Sequence, residues 1–202
     1  SYNLPKVIRS AILFTSREYV GESFSGLDVS SSKCEGILFD ECTFVNCNFA
    51  ESILNHCSFT ECVFTNCNLS SVVIGFSLFN DVRVEDSKAI GVNWALADKP
   101  FLVNFYNSNI SMSSFQELNL RNNEILNCKA HDVDFSGTNL EKANFADTDL
   151  LHAQFNTTNL KHTDFSQAIN YSFNPSGNIL KSTKVSFPEA TALLKCFDLE
   201  IV

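Results

Sequence analysis

Residues 41–69 read ECTFVNCNFAESILNHCSFTECVFTNCNL. A large apolar residue stands at Phe44, Phe49, Leu54, Phe59, Phe64 and Leu69, one every five positions. Neither a helix, with a period of about 3.6, nor a strand, with a period of about 2, produces that spacing. The segment also repeats at twenty: ECTFVNCNF, ending at Phe49, returns as ECVFTNCNL, ending at Leu69. Cysteines that recur this way admit three readings: metal ligands, disulfide partners or packing units.

The five-residue period extends far beyond this stretch. It begins at Tyr19 and Phe24 and runs unbroken in phase to Ala89 and Trp94. A second run, shifted by one residue, starts at Phe105 and passes through Phe115, Phe135, Phe145 and Phe155 to Phe165. Two residues before each large position stands a smaller one, such as Cys42, Ser52, Cys62, Ser113, Thr138, Thr148 or Thr158. Asn or Asp often sits between them, as at Asn48, Asn68, Asp134, Asn144 and Asp164. Each pentad therefore turns one large and one small side chain inward and the rest outward. The nineteen Phe against four Tyr and one Trp fit a single apolar slot used repeatedly.

Runs such as TNLEKANFADTDLLHAQFNTTNLKHTDF (138–165) resemble the pentapeptide-repeat family, whose motif is A-(D/N)-(L/F)-x-x. The resemblance implies an all-β fold, a right-handed quadrilateral β-helix in which four pentads close one square coil. A single coil is too thin to bury its own Phe or Leu, so stacked neighbours must create the core. Residues 19–170 would supply about seven coils at a rise of about 4.8 Å each. Residues 1–18 then form an N-terminal cap. The register break at 95–104, with Lys99-Pro100 at a corner, implies a bulge or short loop, because Pro cannot donate to the ladder. It is either a tolerated insertion or a protrusion that contacts a partner.

In residues 171–202 the pentads stop. SFPEATALLKCFDLEIV predicts a short C-terminal α-helix opened by a capping box, with Ser186, Pro188 at the first helical position and Glu189. Ala190, Leu193, Leu194 and Phe197 fall on one helical face, and Asp198 to Val202, with Leu199 and Ile201, could form a strand. This module either caps the solenoid or makes an isologous dimer interface through Ala190, Leu193, Leu194, Phe197, Leu199 and Ile201.

A β-helix with such a tail is similar to the Qnr, MfpA, McbG and AlbG group of pentapeptide-repeat proteins. The blocks YVGESF (19–24), GVNW (91–94) and FPEATALL (187–194) look most like AlbG, the albicidin-resistance member. That resemblance implies a homodimer joined at its C-termini that binds DNA gyrase, with topoisomerase IV a further possible partner, by imitating B-form DNA. It would protect the enzyme from an albicidin-, microcin- or quinolone-type poison. The absence of long loop insertions departs from the Qnr pattern. A scaffold with a non-topoisomerase partner is the alternative.

Charge bears on both readings. Glu41, Glu61 and Asp81 recur at twenty and should stack into a column, with Glu85 and Asp86 on the adjacent face beside Glu51. Carboxylates about 5 Å apart are sparser than the charge per ~1.7 Å of duplex DNA but share its sign. A basic saddle would be steered toward them, whereas a plain solvated face would need no partner. In the second half Arg121, Lys142 and Lys161 interrupt the faces. The net charge of −9 argues against direct binding of nucleic acid.

No Walker loop, GxGxxG or HExxH occurs, so no enzyme, cofactor or metal site is expected. His131 and His152, with Asp132, are the nearest approach to a metal cluster. Stacked cysteines one coil apart would be parallel and about 4.8 Å apart, too wide for a disulfide, and they would not converge on zinc. They read as small packing residues. No run of apolar residues is long enough to span a membrane and no secretory leader is evident, so a bacterial cytoplasmic location is expected.

Overall fold

The computed structural model describes residues 14–197. Most of the expected cap over 1–18, and the expected strand with Leu199 and Ile201, lie outside the described residues. The chain is a parallel β-solenoid. Short strands β1 (Glu18–Val20), β3 (Leu38–Asp40) and β5 (Ser58–Thr60) stack on one face. On the next face β2 (Ser23–Ser25), β4 (Thr43–Val45) and β6 (Val63–Thr65) do the same. Both columns join β7 (Leu78–Glu85), which pairs with β8 (Phe101–Tyr106) and through it β9 (Ile125–Leu126).

The register is the twenty-residue step of the sequence: Phe39 lies over Tyr19, and Phe59 over Phe39. Extended strand occupies about five turns, fewer than the seven coils counted from the pentads. Beyond them single bridges carry the ladder onward, from Asn119↔Asn139 to Asp164↔Lys184. A pentad leaves room for only two or three extended residues before the chain must turn, so many coils show bridges rather than strands.

Large residues fill the axis. The Phe59 ring lies between Phe39 and Phe79, with centroids 5.0 and 5.1 Å away and planes 11° and 15° apart. Phe44 and Phe64 stack at 4.6 Å in the neighbouring column. Parallel offset rings and edge contacts between columns give dense packing without polar atoms. At the N-terminal end Phe14 sets its edge against Tyr19, Phe24 and Phe39 and covers the first coil.

The small inward slot does more than save space. Thr148 Oγ1 donates to the Ile125 carbonyl at 2.6 Å and accepts from the Cys128 N–H at 3.2 Å. Thr138, Thr158 and Thr163 donate in the same way to carbonyls twenty-three residues earlier, one coil below. The cysteines occupy the identical place: Cys57 Sγ donates to the Cys34 carbonyl at 3.1 Å. The buried hydroxyls and thiols of this slot are thus satisfied between coils, while among the described residues Asn55 Oδ1 and Trp94 Nε1 are buried without a partner.

Most turns are made by one residue with positive φ, a conformation not legible from hydrophobic spacing. It falls two residues after the large one: Glu41 (51°), Asn46 (55°), Glu51 (58°), His56 (57°) and Glu61 (51°), and onward through the chain. The left-handed conformation favours Gly, Asn and Asp. Gly21, Gly36, Gly91 and Gly137 hold the same slot.

At the register break a 3-10 helix, Trp94–Leu96, leads to β8. The ladder steps from Phe79↔Phe101 to Val82↔Val103, so the bulge lies where β7 runs through a corner. The ladder offset grows from twenty residues to 22 at Phe79↔Phe101 and falls to 21 from Val82↔Val103 onward, so β8 gives back one of two extra residues at that corner and this coil keeps the other.

The tail differs from expectation. Glu189–Phe197 is a 3-10 helix, not an α-helix. The capping box does not form: Glu189 Oε2 accepts from the Asn170 N–H at 3.1 Å, and the Ser186 N–H donates to Tyr171 Oη at 3.2 Å. Both groups are drawn to the last coil instead of to each other. With about three residues per turn, the expected single apolar face splits. Leu193 packs against the core beside half-buried Ala190, while Leu194 and Phe197 are exposed.

Candidate partner-binding face

The three recurring carboxylates share one corner of the solenoid. Glu41, Glu61 and Asp81 are all exposed and all hold the positive-φ turn position, at 51°, 51° and 54°. The Glu41 N–H donates to the Thr60 carbonyl and the Glu61 N–H to the Asn80 carbonyl, each at 2.9 Å. Backbone bonding therefore fixes their Cα atoms one coil apart, about 4.8 Å. Among the described residues none of the three has an ion-pair partner.

The other three expected carboxylates do not join them. Asp86 sits at the next corner, in a column with Asn46 and Asn66 below it and Asn107 above. Glu51 is at a third corner, where Ser31 Oγ donates to its Oε2 at 3.4 Å. Glu85 lies on the strand between the first two corners, and Arg83 Nη1 stands 3.7 Å from its Oε1. The expectation that Glu85 and Asp86 lie beside Glu51 is therefore corrected: a whole face separates them, because each five-residue step turns the chain by a quarter circle.

The acidic corner also ends. Above Asp81 the bulge removes the corner, and when it resumes it carries Asn122, Lys142, His162 and Ser182. The run of negative charge is not continued, and among the described residues Lys142 is the one cation at this corner past the break.

One exposed feature escaped the sequence reading. Phe76 holds the turn position of the remaining corner at φ 57° and is 65% exposed. Its ring stacks on His56, with centroids 5.4 Å and planes 8° apart. The signal is present in the sequence, since Phe76 breaks the polar rule of its outward slot.

The histidines are paired off rather than assembled. His131 Nε2 lies 2.8 Å from Asp149 Oδ2, and His152 Nδ1 lies 3.4 Å from Asp132 Oδ1. Among the described residues no group of three His, Cys, Asp or Glu could hold a metal. Cys34, Cys42, Cys47, Cys57, Cys62, Cys67 and Cys128 are all free and buried. Burial pushes the Cys57 and Cys128 thiols up to about 11 and Cys62 to about 12. The contact with Cys47, and then burial, raise Cys67. No described helix is long and apolar enough to cross a membrane.

Comparison with known proteins agrees with this geometry. The pentapeptide repeats family matches the chain in eight copies, over residues 42–72 and 131–167. A trypsin-treated form of QnrB1, a plasmid-mediated fluoroquinolone resistance protein, is 16% identical with a TM-score of 0.54, over 92% of this chain and 97% of that one. HetL, a pentapeptide repeat protein involved in heterocyst differentiation regulation from the cyanobacterium Nostoc sp. Strain PCC 7120, is 12% identical with a TM-score of 0.42, over 85% and 87%. No curated protein matches. At these identities the likeness is one of fold.

Proposed function

We propose, from the premise that this chain is a pentapeptide-repeat β-helix, that it binds DNA gyrase as a mimic of the DNA segment and protects the enzyme from a gyrase-targeting poison. The observation that carries the reading is the corner of Glu41, Glu61 and Asp81, three unpaired carboxylates held one coil apart on a rigid rod. A basic DNA-binding surface would be attracted to such a line of fixed negative charge. The QnrB1 likeness supports the same direction, because a rod of this architecture occurs in a fluoroquinolone resistance protein. The similarity of the tail and of residues 19–24 and 91–94 to AlbG favours albicidin as the poison. The acting species is a homodimer joined through the exposed apolar residues of the C-terminal helix. It works by occupancy and performs no chemistry of its own.

A supercoiling and cleavage assay with purified gyrase, run with and without albicidin or ciprofloxacin, tests this. Added protein should inhibit supercoiling at high concentration and lower drug-stabilised cleavage at lower concentration. No change in supercoiling, relaxation or cleavage sinks the reading.

A further inference from the structure

Phe76 is the exposed residue that folding accounts for least. Its left-handed backbone is an outlier for a bulky side chain. Elsewhere in the same corner stand Gly36, His56, Glu117, Gly137 and Thr157, and Phe76 is the one apolar side chain among them. The ring packs into no core, since it is 65% exposed, and it stacks on His56. The Phe76 N–H donates at 2.9 Å to the carbonyl of Leu96, which extends the apolar corner by one coil and is 52% exposed. Val73, just before the corner, is 45% exposed. Five residues after Phe76 comes Asp81, the last member of the acidic corner. The face formed by β3, β5 and the start of β7 is thus bordered by an apolar ridge on one side and a carboxylate ridge on the other.

We propose that this face is a protein-docking face on which Phe76 is the anchor and Glu41, Glu61 and Asp81 orient the partner. The occupant is a protein surface that carries an apolar pocket next to a basic ridge. Charge complementarity selects the basic ridge. An oriented aromatic ring surrounded by polar rim is the usual form of an energetically dominant contact. A duplex imitated by charge alone would need no such ring, so the face distinguishes recognition of protein from recognition by potential. The inference rests on the proposed function, and gyrase supplies the basic partner for the test.

Binding of purified gyrase is measured by surface plasmon resonance for the wild type, Phe76→Asn and the triple variant Glu41→Gln/Glu61→Gln/Asp81→Asn, at 50 and 300 mM KCl. Asn tolerates a positive φ, so Phe76→Asn should fold, and a melting curve checks that it does. The anchor should lose at least tenfold in affinity at both salt concentrations. The charge variant should lose affinity mainly at 50 mM, because salt screens exposed charges and not apolar contact. Equal affinity of Phe76→Asn and wild type overturns the anchor and leaves the proposed function standing. No binding by the wild type overturns both. Self-association that vanishes in Phe76→Asn would seat a second copy of the chain on the face and also overturn it.

Discussion

His131 Nε2 lies 2.8 Å from Asp149 Oδ2, across one step of the ladder. Burial alone would raise the Asp149 carboxyl, but the Asn170 amide and His131 outweigh it and hold it below the ordinary value of 3.8. Asp164 is lowered in the same way: burial is outweighed by Lys184 and Ser166. A carboxyl depressed in the folded state stabilises above its unfolded pKa, and that stability disappears as pH falls through the folded value. The melting temperature of the wild type should therefore drop between pH 4 and pH 2. Asp149→Asn should start lower at pH 7 and drop less over that acid range in calorimetry. Parallel curves would show that the pair is not what stabilises this rung.

Thr148 links two coils through one hydroxyl, donating to Ile125 and accepting from Cys128. Thr148→Val keeps the shape and leaves a buried carbonyl and a buried N–H unpaired, at a cost of about 1–3 kcal/mol in urea unfolding. Thr148→Ser should recover most of it. A neutral Val variant would mean that the slot is filled for size alone.

All the described thiols are buried, and burial holds Cys57, Cys62 and Cys128 protonated, whereas the contact with Cys67 lowers Cys47. Of the eight cysteines, only Cys196 lacks a described side chain. A thiol reagent at pH 8 should label the native protein at no more than one site and the denatured protein at eight. Fast labelling of several native thiols would contradict the packing role.

Glu61 occupies a left-handed corner, φ 51°, where Asn is better suited. Glu61→Asn should raise stability by on the order of 0.5–1 kcal/mol while weakening gyrase binding. That opposition is expected where a residue is kept for function at a cost to the fold. A variant both less stable and equally effective would remove Glu61 from the proposed face.

Leu194 is 40% exposed and Phe197 50%, at the end of the rod. If they join two copies, Leu194→Asp should yield monomers by light scattering and leave the melting temperature of the coils nearly unchanged. A dimer that persists would move the interface elsewhere.

The solenoid was legible because burial leaves a direct imprint: Phe39, Phe59 and Phe79 must face the axis, and so must Cys42 and Cys62. The acidic column was legible for the same reason, since stacking follows from a fixed step. The separate corners of Glu51 and Asp86 also follow from that step, since each stands two residues after a large position, Phe49 and Val84; what spacing does not give is the positive φ at that position. The helix type was missed because the capping signal competed with tertiary partners: Glu189 reached Asn170 and Ser186 reached Tyr171. Phe76 was legible in principle as the one aromatic in the turn slot, two residues after Ile74, but its burial could not be read from spacing.

The bulge between β7 and β8 has a consequence for how the rod is approached. One corner begins as Gly21, Glu41, Glu61 and Asp81 and, after the break, resumes as Asn122, Lys142, His162 and Ser182. Lengthwise, that corner carries three carboxylates before the break and a single cation, Lys142, after it. A rod of uniform charge can be met by a partner in either of two directions, end for end. This one offers its carboxylates only on the N-terminal side of the bulge, so a basic groove is drawn to that half and not to the other.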